Sequence, residues 1–134
     1  MVVDSSAVIA ILLDEPERDS FNEILASEPT LVMSSVTYYE AAIVIAGKKR
    51  KPSAATLVDN LIRDSAVTVT VSTIDEAIAA REAYFRYGRG YHPAGLNLID
   101  CFAYALARAR NEPLLFKGDD FAKTDIVPAW RPEH

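Results

Sequence analysis

The 134-residue chain has the length of one domain, and half of its residues are hydrophobic, which suffices for a single well-filled core. Its longest apolar runs, Ala7–Leu13 and Ala41–Ala46, are too short to cross a membrane, and the opening Met-Val-Val-Asp lacks the basic residues of a signal peptide. The net charge of −5 argues against binding nucleic acid by bulk electrostatic attraction, but it leaves room for local basic patches and bound metal ions.

The first half of the chain alternates short apolar strands with longer helices. In chain order we predict a strand at Met1–Val3, a helix at Ala7–Leu13, a helix over about Glu17–Ser27, a strand at Thr30–Met33, and a helix from Ser34-Ser35 to Ala46. An early helical proline, a pair of hydroxyl N-caps and the glycine at position 47 set these boundaries.

The second half continues the alternation. The predicted elements are a helix at Ala54–Arg63, a strand at Val67–Val71, a helix over about Ile74–Tyr87, a loop at Gly88–Gly95, a helix from Asn97 to about Asn111, a strand at Leu114–Phe116, a turn at Lys117–Asp120 and a final strand at Ile126–Ala129. Strands that alternate with helices in this way predict one α/β domain over residues 1–134, with a mostly parallel central sheet.

Four acidic residues fall where such a sheet places its functional groups. Asp4 directly follows the first strand, and Asp119 follows the strand Leu114–Phe116 after a two-residue turn. Glu40 and Asp100 lie near the starts of two helices. Because function gathers beyond the carboxyl ends of parallel strands, we expect these four carboxylates to converge at one edge.

Each acid also has a structural interpretation. Asp4 can cap the helix that follows it, and Glu40 can be a solvated flank of an otherwise apolar helix face. Asn97 and Asp100 have the spacing of a capping box, which by itself favours a structural role for both. Asp119 and Asp120, in Gly-Asp-Asp-Phe, are typical turn residues.

Clustered carboxylates repel one another unless a cation neutralises them, and such hard oxygen ligands suit Mg²⁺ or Mn²⁺. The chain has no Cys/His pattern typical of zinc, and its two histidines do not lie near an obvious nucleophile. The single cysteine, Cys101, is expected to be a small buried residue, and nothing demands an oxidising compartment, so we expect a cytoplasmic protein.

Four segments, taken in order, resemble the motifs of the PIN-domain family and of its VapC-type toxin ribonucleases. They are Met1–Ala7, Ser34–Glu40, His92–Ala107 and Leu114–Phe121, of which the third is the most specific. One difference concerns Lys117, where many relatives have threonine. Asp119, two residues further on, is the predicted fourth acid, and Asp120 is the alternative.

The resemblance implies a PIN-like three-layer α/β/α fold and an endoribonuclease that cuts single-stranded or looped RNA with Mg²⁺ or Mn²⁺. It also implies a homodimer and a VapB-type antitoxin partner. Asp4 and Asp100 would bind metal directly, and Glu40 would bind metal or orient a water. Asp119 would either bind a second metal or hydrogen-bond the groups around the first. Ser6, Asn97 and Asp120 are candidates for hydrogen bonding around the metal ligands.

Two surfaces have open interpretations. Arg86, Arg89 and Tyr91, with Lys117, are candidate RNA contacts, although the aromatic residues of this segment can simply pack and its arginines can be solvated. An apolar set in the first half is either core or a groove for an antitoxin helix. That set comprises Ile9, Leu12, Leu13, Ile43, Val44 and Leu57.

Three other functions are compatible with parts of the sequence. A haloacid-dehalogenase-like phosphatase needs a second aspartate where Ser6 stands, and a receiver domain needs a phosphoacceptor aspartate after the third strand, where Ser72 and Thr73 stand. A catalytically inactive PIN-like binding module needs none of these residues, and the set of four acids argues against it.

Overall fold

The computed structural model describes residues 1–133 as a parallel sheet with helices on both faces. The strands are β1 (Val2–Val3), β2 (Leu31–Ser34), β3 (Val67–Thr70) and β4 (Leu114–Leu115). The helices are α1 (Ser5–Leu12), α2 (Arg18–Ser27), α3 (Ser35–Lys49), α4 (Ala55–Asp64), α5 (Ile74–Tyr87) and α6 (Asp100–Arg110). Short 3₁₀ segments occupy Pro52–Ala54 and Phe121–Lys123.

The four strands lie in the order β3-β2-β1-β4, and every neighbouring pair is parallel. Val2 of β1 pairs with Val32 on one side and with Leu114 on the other, so the first strand of the chain lies inside the sheet. All four strands therefore end at the same edge, where the segments that carry the predicted acids begin.

The sheet separates two hydrophobic cores. Val2 and Leu114 point to the side covered by α5 and α6, whereas their neighbours Val3 and Leu115 point to the side covered by α1 to α4. This alternation is the period of two that strand geometry imposes on side chains. The resulting helix–sheet–helix layering confirms the predicted three-layer α/β/α fold and the parallel sheet.

Two boundary predictions were wrong. Helix α3 does not end before Gly47 but runs on to Lys49, and the chain turns at Arg50, whose left-handed backbone (φ 59°) caps the helix. A mid-helix glycine costs only about 1 kcal/mol, which the packing of a long helix offsets. The final strand predicted at Ile126–Ala129 is reduced to one isolated bridge between Leu114 and Pro128. Its two hydrogen bonds run from the N–H of Leu114 to Val127 and from the N–H of Ala129 to Leu114.

Among the described residues, we find no helix with both the length and the apolar character needed to span a membrane.

Candidate active site

All four predicted acids line one cleft of about 250 Å³ beside the carboxyl edge of the sheet. The side chains arrive on β1–α1, on α3, on the start of α6 and on the segment after β4. The cleft is lined by Asp4, Ser5, Ser6, Ile9, Glu40, Val44, Asn97, Asp100, Lys117, Gly118, Asp119, Asp120 and Phe121. The structure thus brings together the four acids and the three candidate supporting residues from four distant parts of the chain.

Asp4 is almost completely buried, with 3% of its surface exposed. Its Oδ2 accepts hydrogen bonds from the backbone N–H of Ser6 (3.0 Å) and from the Ser6 hydroxyl (2.6 Å). Asp4 therefore caps α1, as its structural interpretation predicted. The cap also fixes the orientation of the carboxylate at the edge of the cleft.

The Ser6 hydroxyl joins two ends of the site. While it donates to Asp4, its oxygen accepts a hydrogen bond from the backbone N–H of Lys117 at 3.0 Å. One side chain therefore holds the start of α1 against the segment after β4. The structure shows Ser6 donating to Asp4. That this contact supports a metal ligand stays a prediction.

Glu40 lies in the second turn of α3, which begins after Ser34, whose hydroxyl accepts a hydrogen bond from the N–H of Val36. The Oε1 of Glu40 accepts a hydrogen bond from the Ser5 hydroxyl at 2.5 Å. This partner was missed in the sequence, where Ser5 was interpreted only as a helix-starting residue. A contact between residues 35 positions apart leaves no local signal in the sequence.

Asp100 and Asn97 form the capping box that their spacing predicts. The N–H of Asn97 donates to Oδ2 of Asp100 at 2.9 Å, and the N–H of Asp100 donates to Oδ1 of Asn97 at 2.8 Å. Regular helix α6 begins at Asp100 itself rather than directly after Asn97. The structural role of Asp100 is therefore real, and the same hydrogen bonds hold its carboxylate on the wall of the cleft.

The electrostatics of the cleft disfavour its own charged state. Burial raises the pKa of Asp4 to about 6, and the nearby Glu40 charge adds to that rise. Burial also raises the pKa of Asp100 to about 7, with further contributions from Asp4, Glu40 and Asp120. Carboxyl groups whose negative charge is poorly solvated are stabilised in that charged form by a cation.

No preformed metal cage is present. Within residues 1–133, no three His, Cys, Asp or Glu side chains already converge in an arrangement that would hold a metal ion. The acids surround the cleft without closing on a common point. The case for a metal at this place therefore depends on the chemistry of the donors and on their unfavourable mutual charge.

Lys117 is held by salt bridges. Its Nζ lies 2.6 Å from Oε2 of Glu15 and 3.2 Å from Oε2 of Glu17, and both pairs are partly exposed. The prediction that Lys117 contacts RNA is untested, but its ammonium group already has two carboxylate partners. The pairing connects positions 102 apart and was not predicted.

The remaining candidate RNA contacts lie outside the lining of the cleft. Arg86 lies over the Tyr87 ring, with its guanidinium carbon 4.9 Å from the ring centroid. Its Nη1 also lies 3.8 Å from Oδ2 of Asp125. Arg89 is exposed. Tyr91 is 59% exposed and makes an edge contact with Phe85. This mixture of packed and exposed groups fits both interpretations of the segment.

The apolar set of the first half is not part of the fully buried core. Ile43 is 58% exposed and Leu57 is 38% exposed. The other four members, Ile9, Leu12, Leu13 and Val44, are partly buried. Cys101, in contrast, is buried as expected, and burial raises the pKa of its thiol to about 11, so it is not a nucleophile at neutral pH.

We expect Asp100→Asn to stabilise the metal-free chain near neutral pH. The folded-state pKa of Asp100, about 7, lies above the unfolded value of about 3.9, so the stability associated with its protonated form is present below about pH 4 and is lost as the pH rises through 7. Asparagine keeps the acceptor for Asn97 without the charge. Thermal unfolding in a chelator is expected to show a higher melting temperature for the variant at about pH 8, and no gain at about pH 4.

Asp75→Asn is the matched control, because Asp75 is an exposed acid in the first turn of α5. Its melting temperature should not rise at either pH. An Asp100→Asn variant less stable than the unmutated chain at about pH 8 would show that the carboxylate is well accommodated without a cation.

The chain matches the family model described as "PIN domain" over residues 1–127. It is 48% identical over 127 residues to a ribonuclease VapC of Mycolicibacterium smegmatis, covering 95% of this chain and 98% of the relative. It is 42% identical over 132 residues to ribonuclease VapC30 of Mycobacterium tuberculosis, covering 98% of this chain and 100% of the relative.

Two solved structures share the fold. The crystal structure of VapC20 from Mycobacterium tuberculosis, described as a sarcin-ricin loop cleaving toxin, aligns with a TM-score of 0.78 at 19% identity and covers 98% of each chain. A toxin-antitoxin complex from Klebsiella pneumoniae aligns with a TM-score of 0.68 at 20% identity, covering 94% of this chain and 93% of that one. The order of its elements, the near full-length match to the family model and the identity to curated relatives show that this chain belongs to the PIN-domain family, among the VapC ribonucleases.

Proposed function

We propose that this chain is a single PIN domain that acts as a Mg²⁺- or Mn²⁺-dependent endoribonuclease and as the toxin of a VapBC-type toxin–antitoxin pair. The observation that carries the proposal is the convergence of Asp4, Glu40, Asp100 and the Asp119-Asp120 pair on one cleft. The curated relatives are named as ribonucleases, which supports the same activity here. Because the proposed substrate is cellular RNA, we propose that the protein acts in the cytoplasm.

The donor set of the cleft fits a hard divalent cation. Carboxylate oxygens are the ligands that Mg²⁺ and Mn²⁺ prefer. Asp4 and Asp100 would hold the ion directly, and Glu40 would hold it or orient a water. When bound, such an ion lowers the pKa of a coordinated water and polarises the scissile phosphate.

The chain's own residues prepare the site for this chemistry. Hydrogen bonds from Ser5 and Ser6 fix the carboxylates of Glu40 and Asp4, and the capping box fixes Asp100. In Glu40 and Asp100 these bonds use one oxygen, Oε1 and Oδ2 respectively, and the second oxygen of each has no hydrogen bond to the described residues. These hydrogen bonds restrict the orientation of each carboxylate and leave one oxygen of Glu40 and of Asp100 available to a ligand.

Cleavage of RNA tests the proposal directly. The purified chain, free of partners, is incubated with total cellular RNA and Mg²⁺ or Mn²⁺, and the products are mapped. We expect discrete cuts that a chelator abolishes and that Asp4→Asn or Asp100→Asn reduces at least roughly 100-fold, because each removes a metal ligand. Asp75→Asn should cleave like the unmutated chain.

Cleavage that survives in both site variants would reject this site. A well-folded chain that neither cleaves RNA nor gains thermal stability from Mn²⁺ would instead be the inactive PIN-like binding module. Among residues 1–133 no acidic or histidine cluster is already arranged to hold a metal ion, and this observation favours the second function. Because the chain belongs to the PIN-domain family, the phosphatase and receiver hypotheses are set aside.

The fourth acid can be assigned by comparing two neighbours. Asp119 was the sequence prediction, and both Asp119 and Asp120 line the cleft. The charge of Asp120 contributes to the raised pKa of Asp100, which places Asp120 within electrostatic reach of the site. As the sequence predicts, we expect Asp119→Asn to lower the cleavage rate more than Asp120→Asn, by roughly 10- to 100-fold. The reverse order would assign the role to Asp120.

We also propose a homodimer and a VapB-type antitoxin as partners. A toxin-antitoxin complex among the structures that share the fold supports the second of these. The partly exposed apolar set that includes Ile43 and Leu57 is the surface we assign to the antitoxin.

Light scattering on the purified chain should give twice the monomer mass. Ile43→Glu should weaken inhibition by a cognate antitoxin without changing the rate of RNA cleavage. A monomeric mass, or unchanged inhibition, would contradict the corresponding assignment.

A further inference from the structure

A second cavity, of about 390 Å³, adjoins the acidic cleft. We call it the tryptophan pocket and define it by Phe116, Ala122, Pro128, Trp130 and Arg131. It shares Lys117, Gly118 and Asp119 with the lining of the acidic cleft. The two cavities therefore border the same segment after β4, which brings them close enough for neighbouring parts of one ligand.

We propose that the tryptophan pocket binds an unpaired base of the RNA whose backbone passes through the acidic cleft; this inference rests on the proposed ribonuclease function. Its volume lies within the roughly 300–1,000 Å³ that small organic ligands occupy in proteins. Proteins recognise unpaired RNA bases by stacking them on aromatic rings and on arginine planes. The pocket provides both kinds of group.

Trp130 packs against a buried aromatic residue. Its ring meets Phe21 edge to face, with centroids 5.2 Å apart and an interplanar angle of 89°, and Phe21 is completely buried. Trp130 itself remains partly exposed. A fixed, partly exposed aromatic ring loses little conformational freedom when a base stacks on it.

Arg131 is the residue of the pocket whose charge suits a nucleotide. Arg131 is exposed and forms no salt bridge within residues 1–133, so it can contact a phosphate or lie against a base. Glu17 and Asp119 also line the pocket. The single positive charge of Lys117 is shared between Glu17 and Glu15, at 3.2 and 2.6 Å, so it offsets only part of this negative charge and Arg131 is the group that can face a phosphate.

Trp130 is the single tryptophan of the chain, so its fluorescence reports on this pocket alone. In an Asp100→Asn background that prevents cutting, six-nucleotide oligo(A) and oligo(U) RNAs are titrated in Mg²⁺, beside ribose 5-phosphate, which has a phosphate but no base. We expect saturable quenching by at least one RNA and none by ribose 5-phosphate.

A larger side chain at position 122 fills the pocket and so tests whether a base binds there. Ala122 is exposed, so Ala122→Phe can occupy the space without disturbing the core, and Ala26→Phe places the same ring on an exposed residue of α2 outside both cavities. We expect Ala122→Phe to weaken RNA affinity roughly tenfold and to abolish quenching, with Ala26→Phe unchanged. Thermal unfolding confirms that both variants are folded.

Cleavage by the same two variants, made with Asp100 intact, separates the two proposals. Quenching that Ala122→Phe does not alter, or no quenching by either RNA, overturns the base pocket even if the unmutated chain cleaves RNA. Base-dependent quenching by a chain that does not cleave RNA would support the pocket as an RNA-binding feature and reject the proposed catalysis.

Discussion

The candidate site depends on the hydroxyl of Ser6, which donates to Asp4 and accepts from the backbone N–H of Lys117. This one group fixes the first acid and attaches the segment that carries Asp119 and Asp120. The Lys117 ammonium adds a second attachment through Glu15 and Glu17 at the α1–α2 connection. The acidic cleft and the tryptophan pocket share the wall that these contacts hold, so their relative position follows from the same few bonds.

A structural role and a functional role coincide in two of the acids. Asp4 caps α1, and Asp100, the first residue of α6, accepts a hydrogen bond from the N–H of Asn97 in the capping box. In both cases the hydrogen bond orients a carboxylate toward the cleft. Burial raises the pKa of each acid, because the buried carboxylate is poorly solvated in its charged form. The hydrogen bonds nevertheless keep both carboxyl groups at this position. Such an arrangement costs stability in the absence of a cation and is typical of sites built to bind one.

The sequence predicts the elements well where local signals are strong. Helix α5 and the parallel sheet follow from capping residues, hydrophobic periodicity and the alternation of strands with helices, and convergence of the acids follows from parallel topology. Contacts between distant positions could not be predicted, as with Ser5 and Glu40 or Lys117 and Glu15. The end of α3 was misplaced because glycine is only a weak helix terminator, and a left-handed arginine gives no compositional signal.

The position of β1 within the sheet has a consequence for synthesis of the protein on the ribosome. The first strand made lies between β2 and β4, and its partner β4 begins only at Leu114. The nascent chain therefore cannot complete the cleft until β4 has paired with β1, which was synthesised more than 100 residues earlier, and Asp119 and Asp120 have followed it. The cleft is therefore completed only near the end of synthesis, because the topology joins the two ends of the chain.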